Sequence, residues 1–300
     1  MSVVRTGIRI SILNKKIGFS FKWFLLYVLM IGLVVFTALP LIYLVSTALK
    51  PMDELFIFPP RFLVRKPTLS NFSDLVVAMS GSTVPFLRYV FNSVFTTVII
   101  VVITVIISAM GAYGLVKHKS PGMGVIFPIV IAALMFSTHI TQIPNYLVVN
   151  GLGIVNTYWA LIVPKLAVAY NFFLMKQFIE QTPNELLHAA RIDGAGEWVT
   201  FWRIVMPSIK PAWATLTVLS FVLNWNDFIS PLIFTSSEAM KTLPLAMQTI
   251  GQSIGGGQVV VARAGAVAAC TLVITAPTVI LFMIMQTRVM ETMVHSGIKA

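Results

Sequence analysis

A chain of 300 residues with 57% apolar and only 10% charged residues, at a mean hydropathy of +0.89, lies outside the composition of soluble proteins. Its formal charge of +11 comes from basic residues scattered between apolar runs, without the basic stripe or aromatic-interleaved patch of a nucleic-acid-binding surface. A single cysteine, Cys270, excludes an intrachain disulfide framework or a cysteine-based metal site and reads as a small packed hydrophobe.

At the start of the chain, Arg5, Arg9, Lys15, Lys16 and Lys22 precede an uncharged run from Trp23 to Ala48. That run exceeds the about 7 to 15 residues of a secretory signal core, and no A-x-A site follows, so it reads as a retained span. Runs of about 20 apolar residues, the length of a membrane-crossing helix, fall at Trp23 to Thr47, Val90 to Val116, Val125 to Leu147, Thr157 to Met175, Ala212 to Phe234 and Ala264 to Met285. The expected fold is therefore an all-α membrane protein of six transmembrane helices. It divides into a segment 1–22, a membrane domain 23–287 and a tail 288–300.

Six spans place both termini on one face. The N-terminal basic residues, Lys117-His118-Lys119, the segment Lys176 to Lys210, Arg288 and Lys299 would share it, and positive charge assigns that face to the cytoplasm. Lys50, Arg61, Arg65, Lys66, Arg88, Lys241 and Arg263 fall on the other side, several of them in the long first connection, where charge bias weighs less. Pro51, Pro59, Pro60 and Pro67 argue against a continuous helix in that connection.

Between the fourth and fifth spans, residues 181–211 form the one conspicuous polar segment. Thr182 as N-cap, Pro183 at the first helical position and Glu185 closing a Thr-x-x-Glu box predict the start of a helix, and Gly194 predicts its end. Trp198, Phe201, Trp202 and Val205 then fall at i, i+3, i+4, i+7 and predict one apolar stripe, limited by Pro207. On physics alone, an amphipathic helix resting on the bilayer fits equally well.

Intramembrane polar groups are the other signal. Lys165 in the fourth span, with Asn224, Asn226 and Asp227 in the fifth, reads either as a substrate path or as a structural pair with interfacial snorkelling. His139 and Gln142 are weaker candidates, better read as hydrogen-bonded structural groups, while Trp225, Tyr146 and Trp159 offer aromatic faces of the kind that stack on sugars or anchor interfaces. The triple glycine Gly255-Gly256-Gly257 is followed by Gln258 and not by the Lys-Ser/Thr of a phosphate-binding loop. His118, His139, His188 and His295 form no cluster with carboxylates, so neither a metal, a cofactor nor a catalytic constellation is expected.

Ala189, Ala190, Gly194, Ile204 and Pro207 resemble, at matching spacing, the cytoplasmic EAA signature of ABC-importer permeases: E-A-A, three residues, G, nine residues, I-x-L-P. His188 stands where that pattern has glutamate, and Met206 where it has leucine. Thr242-Leu243-Pro244, Asn150 to Trp159, Asn224 to Ile233 and the closing Gly297 to Ala300 resemble the carbohydrate-uptake branch of the family, that of the maltose-system permease. The resemblance implies the type I importer fold, with 181–211 as a cytoplasmic coupling segment whose first helix, Glu185 to Asp193, docks on an ATPase. It further implies a second related permease, two ATPase subunits that bind ATP and Mg, an extracytoplasmic solute-binding protein and a sugar substrate within membrane lipid. Glu185, one turn before His188, is placed to supply the missing anion. The same machinery with a peptide, amino acid or other polar solute remains an alternative. A gradient-driven carrier is another; it would be marked by paired broken helices or several membrane carboxylates.

Overall fold

The computed structural model describes residues 21–55, 57–80, 84–118, 122–253 and 259–297. The N-terminal basic segment, Lys119, the triple glycine and the closing residues 298–300 lie outside them. Helices and turns, with no strand, make up the described residues.

Among the described residues, three helices are long and apolar enough to cross a bilayer: α1 (Phe21–Ala48), α4 (Phe86–Lys117) and the apolar stretch 264–287 of α15 (Val259–Gly297). Each coincides with an expected span. The expected tail boundary at residue 287 falls inside α15, which continues unbroken to Gly297.

The other three expected spans are interrupted. Val125 to Leu147 becomes α5 (Met123–Ala133) and α6 (Thr138–Gly151), with a break at 134–137. Thr157 to Met175 becomes α7 (Tyr158–Ile162), a 3₁₀ turn at Val163–Lys165 and α8 (Ala169–Glu180), bent by 45°. Ala212 to Phe234 becomes α12 (Lys210–Trp225) and α13 (Ile229–Phe234), parted by Asn226-Asp227-Phe228. Hydropathy counts apolar residues and is blind to local polar capping, which is why unbroken spans were expected. Two helix pairs bent at a short break, Tyr158–Lys165 with Ala169–Glu180 and Glu197–Ser208 with Lys210–Trp225, bring the total among the described residues from three to at most five.

The helix α4, about 48 Å long at 1.5 Å per residue, is the spine, packed chiefly against α8 and α12. Its buried side is rich in small residues, including Ser93, Thr97, Thr104, Ser108, Ala109 and Ala112, between the larger Tyr89, Ile100 and Tyr113. Such residues let backbones approach closely where lipid removes the hydrophobic drive between helices. Around its C-terminal half, Val105, Ala109 and Tyr113 pack with Met175, Ile179, Phe201, Val205 and Leu216. At the opposite end Tyr89 packs with Leu75, Trp225, Leu243, Met247 and Cys270.

That opposite end is organised by buried polar groups. On α2 (Met52–Leu55), the Glu54 carboxylate accepts the backbone N–H groups of Arg65 (3.0 Å) and Lys66 (2.9 Å), and these donors hold its pKa below the ordinary value. On α3 (Ser70–Ser80), Asn71 donates to the carbonyls of Ala48 (2.8 Å) and Lys50 (2.7 Å). Gly265 of α15 makes room for it: a Cβ there would meet Asn71 Oδ1 at 2.2 Å. Gly265→Ala is therefore expected to evict the amide and cost about 1–3 kcal/mol, read by thermal unfolding in detergent; an unchanged midpoint would show that Asn71 can shift without loss.

Candidate functional site

Following α8, the chain turns at Gln181-Thr182-Pro183 into α9 (Asn184–Ile192). The expected capping box does not form. Pro183 takes the N-cap position with no side-chain cap bond, and Thr182 lies outside the helix, buried, its hydroxyl 3.4 Å from Ser208 Oγ. Lys117 Nζ supplies tertiary contacts instead, donating to Thr182 O (2.7 Å) and Asn184 Oδ1 (2.9 Å). At the other end Gly194 has the expected left-handed φ of +77°. Ala195 N–H bonds Ala190 O (2.9 Å) and Gly194 N–H bonds Arg191 O (3.1 Å), the paired closure that satisfies the last carbonyls.

Next come α10 (Glu197–Thr200), a π-helical turn at Phe201–Val205 and α11 (Met206–Ser208). The expected stripe is split. Phe201 and Val205 are buried against α4 and α12, whereas Trp198 (61%) and Trp202 (38%) stay exposed. An i→i+5 turn shifts the faces that a 3.6-residue period would align. Ile204 and Met206 pack partly buried on the same core. Pro207 lies in the last helical turn before Ile209, where the chain bends by 78° into α12.

Among the motif residues, Ala190 is buried beside Leu187, which explains its small side chain. Glu185, His188 and Ala189 are exposed on α9, and Asp193 is exposed at its C-cap. Leu186 and Ile192 are exposed with them, Ile192 at 87%. The exposure of Ile192 is the reverse of what its helical pattern suggests, since apolar residues in such a pattern default to the core.

Glu197, outside the expected site residues, joins the segment to its surroundings. Its carboxylate accepts Tyr113 O–H (2.7 Å) and Arg191 Nη2–H (2.9 Å), with His118 Nε2 3.6 Å away. The Tyr113 hydrogen bond first, then Arg191, keeps Glu197 below the ordinary glutamate pKa of 4.5 and so ionised at neutral pH.

In the membrane domain, the structure brings two of the four path candidates together. Lys165 forms an ion pair with Asp227 Oδ2, each side chain about four-fifths buried. Asp227 Oδ1 also accepts Ile229 N–H (3.0 Å) and Ser230 N–H (3.1 Å), capping α13. The pair thus joins the break before α8 to the break after α12. Asn224 and Asn226 donate to carbonyls of their own helix, Ser220 O (2.7 Å) and Val222 O (2.8 Å), and Asn226 remains exposed. Trp225 is not a free aromatic face: it is buried, stacked on Phe221, its indole N–H bonded to Ile274 O at 2.8 Å. Tyr146 stacks on Phe234, Trp159 is exposed and Gln142 is half-buried. The His139 side chain lies outside the described residues.

Residues 7–293 match the family described as binding-protein-dependent transport system inner membrane component. The chain belongs to this family. Among relatives of this inner membrane component, Protein LplC of Bacillus subtilis (strain 168) is 34% identical over 224 residues, covering 73% of this chain and 72% of LplC. The arabinooligosaccharides transport system permease protein AraQ of Halalkalibacterium halodurans is 31% identical over 266 residues, covering 87% and 90%. A solved bacterial ABC transporter involved in the import of the acidic polysaccharide alginate shares the fold, with a TM-score of 0.76 at 21% identity over 89% of this chain and 96% of that one. Broken helices, first associated with gradient-driven carriers, therefore belong equally to an inner membrane component of binding-protein-dependent transport.

Proposed function

We propose that this chain is the membrane-spanning permease subunit of an ABC importer for a sugar or oligosaccharide, energised by a separate ATPase that holds ATP and Mg. The observation that carries this reading is α9: a helix closed at Gly194, anchored inward by Leu187 and Ala190, and presenting Glu185, Leu186, His188, Ala189 and Ile192 outward. Family membership supports dependence on a solute-binding protein, and the printed names of AraQ and the alginate importer support a saccharide cargo.

In this reading 181–211 faces the cytoplasm with both termini, and the two ATPase copies receive α9 and its counterpart on a second permease. The interrupted helices complete six spans, and the long exposed side of α1 meets lipid or that second permease. The path follows the Lys165–Asp227 junction with Asn224 and Asn226 beside it. Differential affinity of the ATP-bound and ATP-free ATPase for two permease states would drive alternating access.

Reconstitution of the complex in proteoliposomes tests it. Labelled oligosaccharide uptake should require ATP and the binding protein and survive collapse of ion gradients; uptake that continues without ATP would overturn the reading. Within that complex, Ile192→Asp and Glu185→Ala should each lower ATPase retention about tenfold, the equivalent of ~1.4 kcal/mol. Unchanged retention in Glu185→Ala removes Glu185 as a substitute for the missing motif glutamate.

A further inference from the structure

A segment that only hangs between α8 and α12 would hand its motion to those two helices through the backbone. The structure adds a third connection. The C-terminal end of α4 carries Tyr113 and Lys117, with His118 as its C-cap, and all three face residues 182–197. Lys117 grips the start of α9 through Thr182 O and Asn184. Tyr113 grips the start of α10 through Glu197, and Glu197 in turn holds Arg191 in the last turn of α9. One carboxylate therefore ties both halves of the segment to α4, across a turn whose Gly194 and Gly196 would otherwise leave them free to swing.

We propose that Glu197 is a positioning residue for coupling: with Tyr113 and Arg191 it makes α9, α10 and α4 move as one body, so that force received at α9 reaches the spine of the bundle. Tyr113 is itself packed in the core against Phe201 (centroids 5.6 Å apart). Any displacement of Glu197 is thus opposed by buried packing. The charges suit the helix ends they occupy, an acid in the first turn of α10 and a base in the last turn of α9. Since α4 packs along α8 and α12, moving it shifts the walls on which Lys165 and Asp227 stand.

This rests on the ATP-coupled reading above, and the experiment separates the two. The wild-type complex in proteoliposomes is measured first, as ATP hydrolysed per solute imported; a wild type with no binding-protein-dependent ATP turnover would remove that reading and this proposal with it. Given coupled turnover, Glu197→Gln and Tyr113→Phe should leave the complex assembled but raise ATP spent per solute by about threefold or more. The double variant should be no worse than either single one, and Glu197→Asp should recover part of the loss. An unchanged ratio in assembled Glu197→Gln overturns the proposal. Failure of both single variants to assemble overturns it too, by assigning the cluster to folding alone.

Discussion

Lys165→Ala is expected to destabilise the protein by about 3 kcal/mol, because it leaves the Asp227 carboxylate largely buried without its partner. Asp227 would keep its hydrogen bonds from Ile229 and Ser230 N–H but lose its only ion-pair partner among the described residues. Asp227→Asn in the Lys165→Ala background should recover most of the loss, since an amide oxygen still accepts those N–H groups and carries no charge. Chemical unfolding in detergent, run as a double-mutant cycle, measures the coupling. Lys165→Ala within about 1 kcal/mol of wild type would mean that water reaches Asp227 and the pair is only interfacial.

Asn92→Ala is expected to cost a similar amount, on the order of 3 kcal/mol, by removing three hydrogen bonds at once. Asn92 has no exposed surface, donates to Ala239 O (2.9 Å) and Lys241 O (2.8 Å) and accepts Tyr158 O–H (2.7 Å). It thereby stitches α4 to α7 and to the loop ahead of α14 (Leu243–Ser253), where Ser93 Oγ also accepts Leu243 N–H. Hydrogen exchange should rise at residues 239–243 in the variant and leave α9 unchanged. Uniform exchange across both regions would indicate global loosening instead of release of one loop.

Asn92 exposes the limit of reading polar residues along a chain. It sits in an apolar run, as Asn224 does, yet one is the hub of a buried network and the other bonds its own helix. Nothing local to either residue distinguishes them, because the difference lies in the carbonyls of residues nearly 150 positions away. The same holds for Thr182. Its capping box is sound as local chemistry, but Lys117 and Ser208 offer partners that outcompete it in the folded chain.

What the sequence alone determined was whatever depends on composition and on local backbone chemistry. Lipid as the solvent, α1 and α4 as long apolar helices, the end of α9 at Gly194 and the family motif from Ala189 to Pro207 all follow from neighbours in the chain. Tertiary structure decided where the spans break, that Lys165 and Asp227 are partners, that Trp225 is buried while Ile192 is exposed, and that Glu197 fastens the segment to α4. The physical reason is common to these. Apolar length sets whether a helix can cross a membrane, but each polar group inside it must find a partner, and the partner that wins is chosen by packing across the bundle.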